Sequence, residues 1–162
     1  MFTRRLLPAL VTILAATAIL SLARAEDKNA IEVSLKDFKF KVQEGTENLF
    51  GLNEGEGKLF FYTNGKGEAT VKLPDDGDFE IVIKASCDSA LDEKAKFKLT
   101  LDGDLVGKET TLTSDNEKDY TFKVNAKKGE RKVGIEFTND VFKENEYDRN
   151  LYIHAVTVKK AK

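Results

Sequence analysis

From residue 31 onward the chain is built of short runs in which apolar and polar residues alternate. Ile31, Val33 and Leu35 begin the pattern, and Phe38, Phe40 and Val42 continue it. It returns at Ala69, Val71 and Leu73, at Phe79, Ile81, Ile83 and Ala85, and at Phe97, Leu99 and Leu101. Tyr120, Phe122 and Val124 carry it again, then Val133, Ile135 and Phe137. A period of two sends successive side chains to opposite faces of an extended chain, so each run predicts a half-buried strand. Residues 59–62 are apolar throughout, and residues 151–158 read as a last strand. Turn chemistry separates the runs at Asn64-Gly65, Pro74-Asp75-Asp76-Gly77, Asp102-Gly103 and Lys128-Gly129. No long stretch has helical spacing; residues 89–95 have room for one helical turn at most. Many short strands at this spacing predict an all-β fold, an antiparallel β-sandwich. Residues 44–57 are rich in Gly and acids, but Leu49, Phe50 and Leu52 predict that this segment packs rather than hangs free.

The first 25 residues read differently. Arg4 and Arg5 form a positive start, residues 6–22 are almost wholly apolar, and Ala23-Arg24-Ala25 has the small-x-small form of a cleavage site. This pattern predicts a secretory signal peptide over 1–25, and a mature chain from Glu26 that is secreted or periplasmic and leaves the membrane on cleavage. Residues 26–162 have the length of a single domain. Of 26 basic residues the signal carries Arg4, Arg5 and Arg24, leaving 23 against 28 acidic ones. A mildly acidic balance argues against a nucleic-acid partner, which would want a basic face. Cys87 is the only cysteine, so no internal disulfide forms. It follows an apolar run and reads as a small buried residue, with Asp88 and Asp92 nearby to raise its pKa.

Candidate chemistry concentrates between Phe137 and Tyr152. Asn139, Asp140, Glu144, Asn145, Glu146, Asp148 and Asn150 stand between two strand-like runs. Hard cations such as Ca²⁺ take six to eight oxygens from such groups, with backbone carbonyls and water. Asn and Asp are also ordinary turn residues, so composition alone leaves both readings open. The spacing is not that of an EF-hand, which needs a mid-loop Gly and alternating donors.

Asn139-Asp140, followed after a short loop by Asp148-Arg149-Asn150-Leu151-Tyr152 and a final strand, resembles the terminal motif of calcium-dependent, xylan-binding carbohydrate-binding modules of the family 36/60 type. Tyr62-Thr63-Asn64-Gly65, Val71-Lys72-Leu73-Pro74 with Gly77-Asp78-Phe79, and Leu99-Thr100-Leu101-Asp102-Gly103 are similar to earlier strands of that family, in the same order. The likeness extends over residues 31–158, and its most specific part is the terminal motif. It implies a jelly-roll-like sandwich with a loop Ca²⁺ at one end, whose coordination two neighbouring sugar hydroxyls complete.

Carried onto this chain, the resemblance implies Asp140 and Asp148 as carboxylate ligands and the Tyr147 carbonyl as a third. Asn139 and Asn150 would donate amide oxygens or hold the loop. Arg149 would support the loop by pairing with a carboxylate such as Asp140, and Leu151 and Ile153 would anchor it to the core. The chain has no Trp, so the aromatic face that a sugar ring packs against would come from Tyr147 or Tyr62, with Tyr152 as another candidate. The partner implied is a xylan-like or other β-linked polysaccharide, bound and not cleaved. The alternative is a structural or protein-interaction sandwich in which Ca²⁺ staples the loop and no glycan binds. An enzyme ranks last: there is no phosphate loop, zinc-spaced Cys/His set or nucleophile elbow, and the single His154 lies within a predicted strand.

Overall fold

The computed structural model describes residues 30–42 and 44–161. The expected signal peptide over 1–25 lies outside the described residues. Among the described residues fourteen strands follow in chain order. They are β1 (Ile31–Glu32), β2 (Lys39–Phe40), β3 (Phe50–Asn53), β4 (Lys58–Phe61), β5 (Gly65–Leu73), β6 (Gly77–Asp88), β7 (Lys96–Leu101), β8 (Asp104–Leu105), β9 (Thr110–Thr111), β10 (Lys118–Ala126), β11 (Gly129–Phe137), β12 (Phe142–Lys143), β13 (Tyr147–Asp148) and β14 (Asn150–Lys160).

Two antiparallel sheets face each other. One runs in the order β10-β6-β14-β4-β3, with β1 on β14; the other runs β2-β5-β11-β7-β8, with β9 on β7. The chain passes from sheet to sheet along β4, β5, β6 and β7, and again along β10, β11 and β14. The fold is thus an antiparallel, jelly-roll-like sandwich. The alternating runs become its inner faces. Phe79, Ile81, Ile83 and Ala85 on β6 and Ala69, Val71 and Leu73 on β5 are all buried, as are Phe97 and Leu99 on β7 and Val133, Ile135 and Phe137 on β11. Burying each large apolar side chain stabilises by about 1.5–3 kcal/mol, and these rows form one continuous core.

The last strand carries an irregularity that no apolar count reveals. Ile153 pairs with Ala85 but Ala155 pairs with Lys84, so His154 is an extra residue in a β-bulge. Inward positions shift from odd (Leu151, Ile153) to even (Val156, Val158) across it, and all four stay buried.

One local expectation is corrected. Residues 31–42 do not make two full strands: a 3₁₀ turn at Leu35–Asp37 separates the two-residue strands β1 and β2, and Val42 is 52% exposed. Alternation over three apolar positions cannot tell a strand from an edge segment with a turn. Residues 89–95 hold no helical turn. Ala90 and Glu93 exchange backbone hydrogen bonds around Leu91 and Asp92, both at positive φ (52° and 58°). Phe50, in the segment without alternation, is buried in the core as expected.

Candidate functional site

The ends of β4, β6 and β11 and the start of β14 meet at one end of the sandwich. The chain between β11 and β14 is not an open loop there. It forms its own hairpin, with Phe142 opposite Asp148 and Lys143 opposite Tyr147, and the Arg149 N–H donates to the Val141 carbonyl at 3.0 Å. Asn145, at φ 59°, sits in the turn, and Lys143 pairs with Glu146 at 2.6 Å. The hairpin sorts the oxygen-bearing side chains of this stretch. Glu144, Asn145 and Glu146 go to an exposed tip. Asp140 and Asp148, eight positions apart in sequence, come together at the base.

Arg149 holds that base. Its side chain is 2% exposed. Nη1 donates to the Asn139 carbonyl at 2.6 Å, Nη2 to the Ala90 carbonyl at 2.5 Å and Nε to the Glu93 carbonyl at 3.2 Å. The guanidinium therefore ties the 90–93 turn to the start of the hairpin. Its expected partner, Asp140, is not among these contacts; backbone carbonyls take that place, with the Glu93 carboxylate 3.6 Å away. Asn139 is spent in the same way. Its Oδ1 accepts from the Lys96 N–H at 2.6 Å and its Nδ2 donates to the Lys94 carbonyl at 3.0 Å. Both ends of the Asn139 amide are thus engaged by backbone groups of residues 94 and 96, the second of the two roles open to it.

Three of the expected residues do converge. Asp140, Asp148 and Asn150 line one pocket of about 560 Å³, together with Leu49, Tyr62, Thr63, Phe142 and Tyr152. Each of the three has one oxygen, Oδ1, that is buried and accepts no hydrogen bond. Among the described residues only Thr100 Oγ1, elsewhere in the fold, shares that condition. An unpartnered buried acceptor costs about 1–3 kcal/mol, so three in one pocket call for a shared positive partner. The chemistry suits a hard divalent cation: two carboxylates balance its charge, an amide oxygen adds a neutral donor, and carbonyls or hydroxyls complete the shell.

Electrostatics agree. Burial pushes the Asp140 carboxyl above its usual value; a Thr63 hydrogen bond lowers it, the Asp148 charge raises it and Arg149 lowers it. The Asp140 N–H is fixed by Asn64 Oδ1 at 2.8 Å, so a residue read from sequence as a turn former also anchors the site. At its other end the Asn150 amide is held by carboxylates. Nδ2 donates to Asp148 Oδ2 at 3.0 Å and to Asp88 Oδ2 at 3.1 Å, and Asp88 Oδ2 also accepts the Tyr152 hydroxyl at 2.6 Å. Burial first, then that hydrogen bond, raise the Tyr152 pKa and keep the phenol protonated.

The pocket has an aromatic rim, but not the one expected in full. Tyr62 is 39% exposed and lines it; its ring meets Tyr152 edge-on with centroids 6.3 Å apart. Phe142 lines it too and is 66% exposed. Tyr147 is not brought to the pocket: it sits one pair further along the hairpin, opposite Lys143. Strand alternation explains the correction, because Phe142 pairs with the pocket residue Asp148 whereas Tyr147 is its odd neighbour. Phe142, Asp88 and Asn64 escaped the sequence reading. Phe142 had a signal, an apolar ring stranded in a polar stretch.

His154 lies on the outer face beside Ser86 and Glu117. Nε2 is 2.7 Å from Ser86 Oγ and Nδ1 is 3.3 Å from a Glu117 oxygen. The order resembles a nucleophile relay. Ser86, however, lies on β6, an inner strand between β10 and β14. Backbone N–H groups of such an inner strand lie in the sheet plane, toward the neighbouring strands. Cys87 is buried, and desolvation raises its thiol pKa, the behaviour of a structural cysteine.

The model of one family, CBM60, described as Ca-dependent, xylan-binding carbohydrate-binding modules, matches residues 80–162. The chain belongs to this family. The matched segment holds Asp88, Asp140, Asp148 and Asn150, while the module's Tyr62 precedes it. No curated protein matches the sequence. Among solved structures, the module is similar to the CBM36-1 domain of a multidomain xylanase from the hindgut metagenome of Trinervitermes trinervoides. That match has a TM-score of 0.60 and 18% identity over 83% of this chain and 99% of that one. It is also similar to a CBM36 module in complex with calcium and xylotriose (TM-score 0.56, 15% identity, 80% of this chain and 97% of that one). A third is a CBM35 from Paenibacillus barcinonensis (TM-score 0.52, 18% identity, 82% and 98%). At these identities the likeness establishes the shared sandwich. No helix among the described residues is long and apolar enough to cross a membrane.

Proposed function

We propose that this module binds xylan-like, β-linked polysaccharide, without cleaving it, through Ca²⁺ held by Asp140, Asp148 and Asn150. The observation that carries the reading is the convergence of three partnerless buried oxygens in one aromatic-rimmed pocket. The Tyr147 carbonyl, next to Asp148 in the hairpin, is a further proposed donor. Bound there, Ca²⁺ supplies coordination positions that two neighbouring sugar hydroxyls can fill in place of water. The chain's own residues do the rest. Arg149 and Asn139 hold the hairpin base, and Phe142 and Tyr62 offer apolar faces to the C–H face of a sugar ring. The complex of a CBM36 module with calcium and xylotriose supports this reading by analogy of fold. With the signal sequence expected over 1–25, the module would act in the periplasm or outside the cell.

The alternative, Ca²⁺ as a loop staple alone, is disfavoured by Arg149. Three carbonyls from two segments already converge on its guanidinium, so the hairpin base is stapled by protein groups. The test is calorimetric titration of Ca²⁺ into chelator-treated protein, followed by retention on insoluble xylan with and without the metal. Calcium-dependent retention supports the proposal. Calcium binding with no retention on any β-linked glycan would leave the staple, and no calcium binding would refute both.

A further inference from the structure

Asparagine is a two-faced ligand: its oxygen can coordinate a cation and its NH₂ cannot, and the two ends differ by a half-turn. Whether Asn150 serves the metal therefore depends on what holds its amide. We infer that Asp88, outside the proposed donor set, is the positioning residue that makes Asn150 a calcium ligand and links the metal to the aromatic rim. This inference rests on the calcium reading above.

The geometry is specific. Asp88 ends β6, Asn150 begins β14, and the two are direct cross-strand partners. Asn150 Nδ2 donates to Asp88 Oδ2 at 3.1 Å and to Asp148 Oδ2 at 3.0 Å, which leaves Oδ1 as the buried atom without a partner. Turning the amide over would set Oδ1 against two acceptor-only carboxylate oxygens, lone pair against lone pair. Asp148 cannot hold the amide alone, because its carboxylate is itself proposed to face the cation. Asp88 has no such second duty. Its Oδ2 is fixed in turn by the Tyr152 hydroxyl at 2.6 Å, and the Tyr152 ring meets Tyr62 edge-on. A path of direct contacts thus runs from the amide through Asp88 and Tyr152 to the ring proposed to face the sugar. Carboxylates that orient a metal ligand from behind commonly govern affinity about 10–100-fold.

The test uses Tb³⁺ as a luminescent probe, with lifetimes in H₂O and D₂O counting the waters on the metal. In the wild type, Tb³⁺ binds in competition with Ca²⁺; failure of that step would refute the calcium reading itself, separately from this inference. Asp88→Ala is expected to gain about one metal-bound water and to weaken Ca²⁺ at least about tenfold. Asp88→Asn keeps an acceptor for both donors and is expected to restore the wild-type water count. Asn150→Ala is expected to gain the same single water, and the double variant no more than that. An unchanged count in Asp88→Ala overturns the inference. So does a double variant gaining two waters, which would make Asp88 a ligand in its own right. Asp88 is exposed at a strand end, so the Asp88 single variants are expected to melt near the wild type in chelator. If the alanine variant does not fold, Asp88→Ser, too short to reach Asn150, reads the same quantity.

Discussion

Replacing Asp140 by asparagine separates the two states of the pocket with one atom. Without metal, Asp140 Oδ1 is buried and unpartnered, and burial and the Asp148 charge both work against its ionised form. A carboxylate whose folded pKa is raised weakens the fold at neutral pH, so neutralising it should help the metal-free protein. An amide still leaves one polar end unmatched, which limits the gain to about 1 kcal/mol. For a domain of this size that is roughly 3 °C in Tm. With metal the sign reverses. The wild type gains about 2.7 kcal/mol at free calcium one hundred times Kd, or roughly 8 °C, and the variant forfeits most of this. Asp140→Asn is therefore expected to melt at or above the wild type in chelator and about 5 °C below it in calcium. Scanning calorimetry in the two buffers reads the crossing directly. A wild-type Tm indifferent to calcium, or a variant that melts lower in chelator, would refute the reasoning.

The other predictions address the rim, the clamp and the outer face. Phe142→Ala is expected to weaken xylan binding about five- to tenfold, the worth of one aromatic contact, with Ca²⁺ affinity unchanged; Tyr147→Ala is expected to change neither. Affinity electrophoresis alongside calorimetry separates the two effects. Arg149→Lys, unable to span three carbonyls, is expected to cost about 3 kcal/mol in urea unfolding, with or without calcium. Burial lowers the His154 pKa from 6.5, against the pull of Glu117. Between 6.5 and that lower value the unfolded chain holds a proton that the folded chain does not. Stability is then expected to fall as pH drops below 6.5 and to level off under the folded pKa. A series of melts should lose that step in His154→Gln; an unchanged step would assign it elsewhere.

Sequence alone determined the long strands of the core and their inner faces. Alternation is a local property: Phe79, Ile81 and Ile83 must share a face whatever strand lies beside them, and their burial followed. The stretch that carries the candidate site was legible too, because Asp140 and Asp148–Asn150 lie within one short segment. Tertiary structure decided which members of that stretch share the pocket. Sequence could not choose between Asn139 as donor and as clamp, because the choice depends on Lys94 and Lys96, more than forty residues away. Nor could it find Asp88, which reaches Asn150 across a strand pair of sequence separation 62. The exchange of Tyr147 for Phe142 turned on the register of a two-pair hairpin, where a shift of one residue reverses every side chain. Periodicity reports which face a residue takes on its own strand. Which groups then share a pocket depends on strand order and register, and those arise from contacts between segments far apart in the chain.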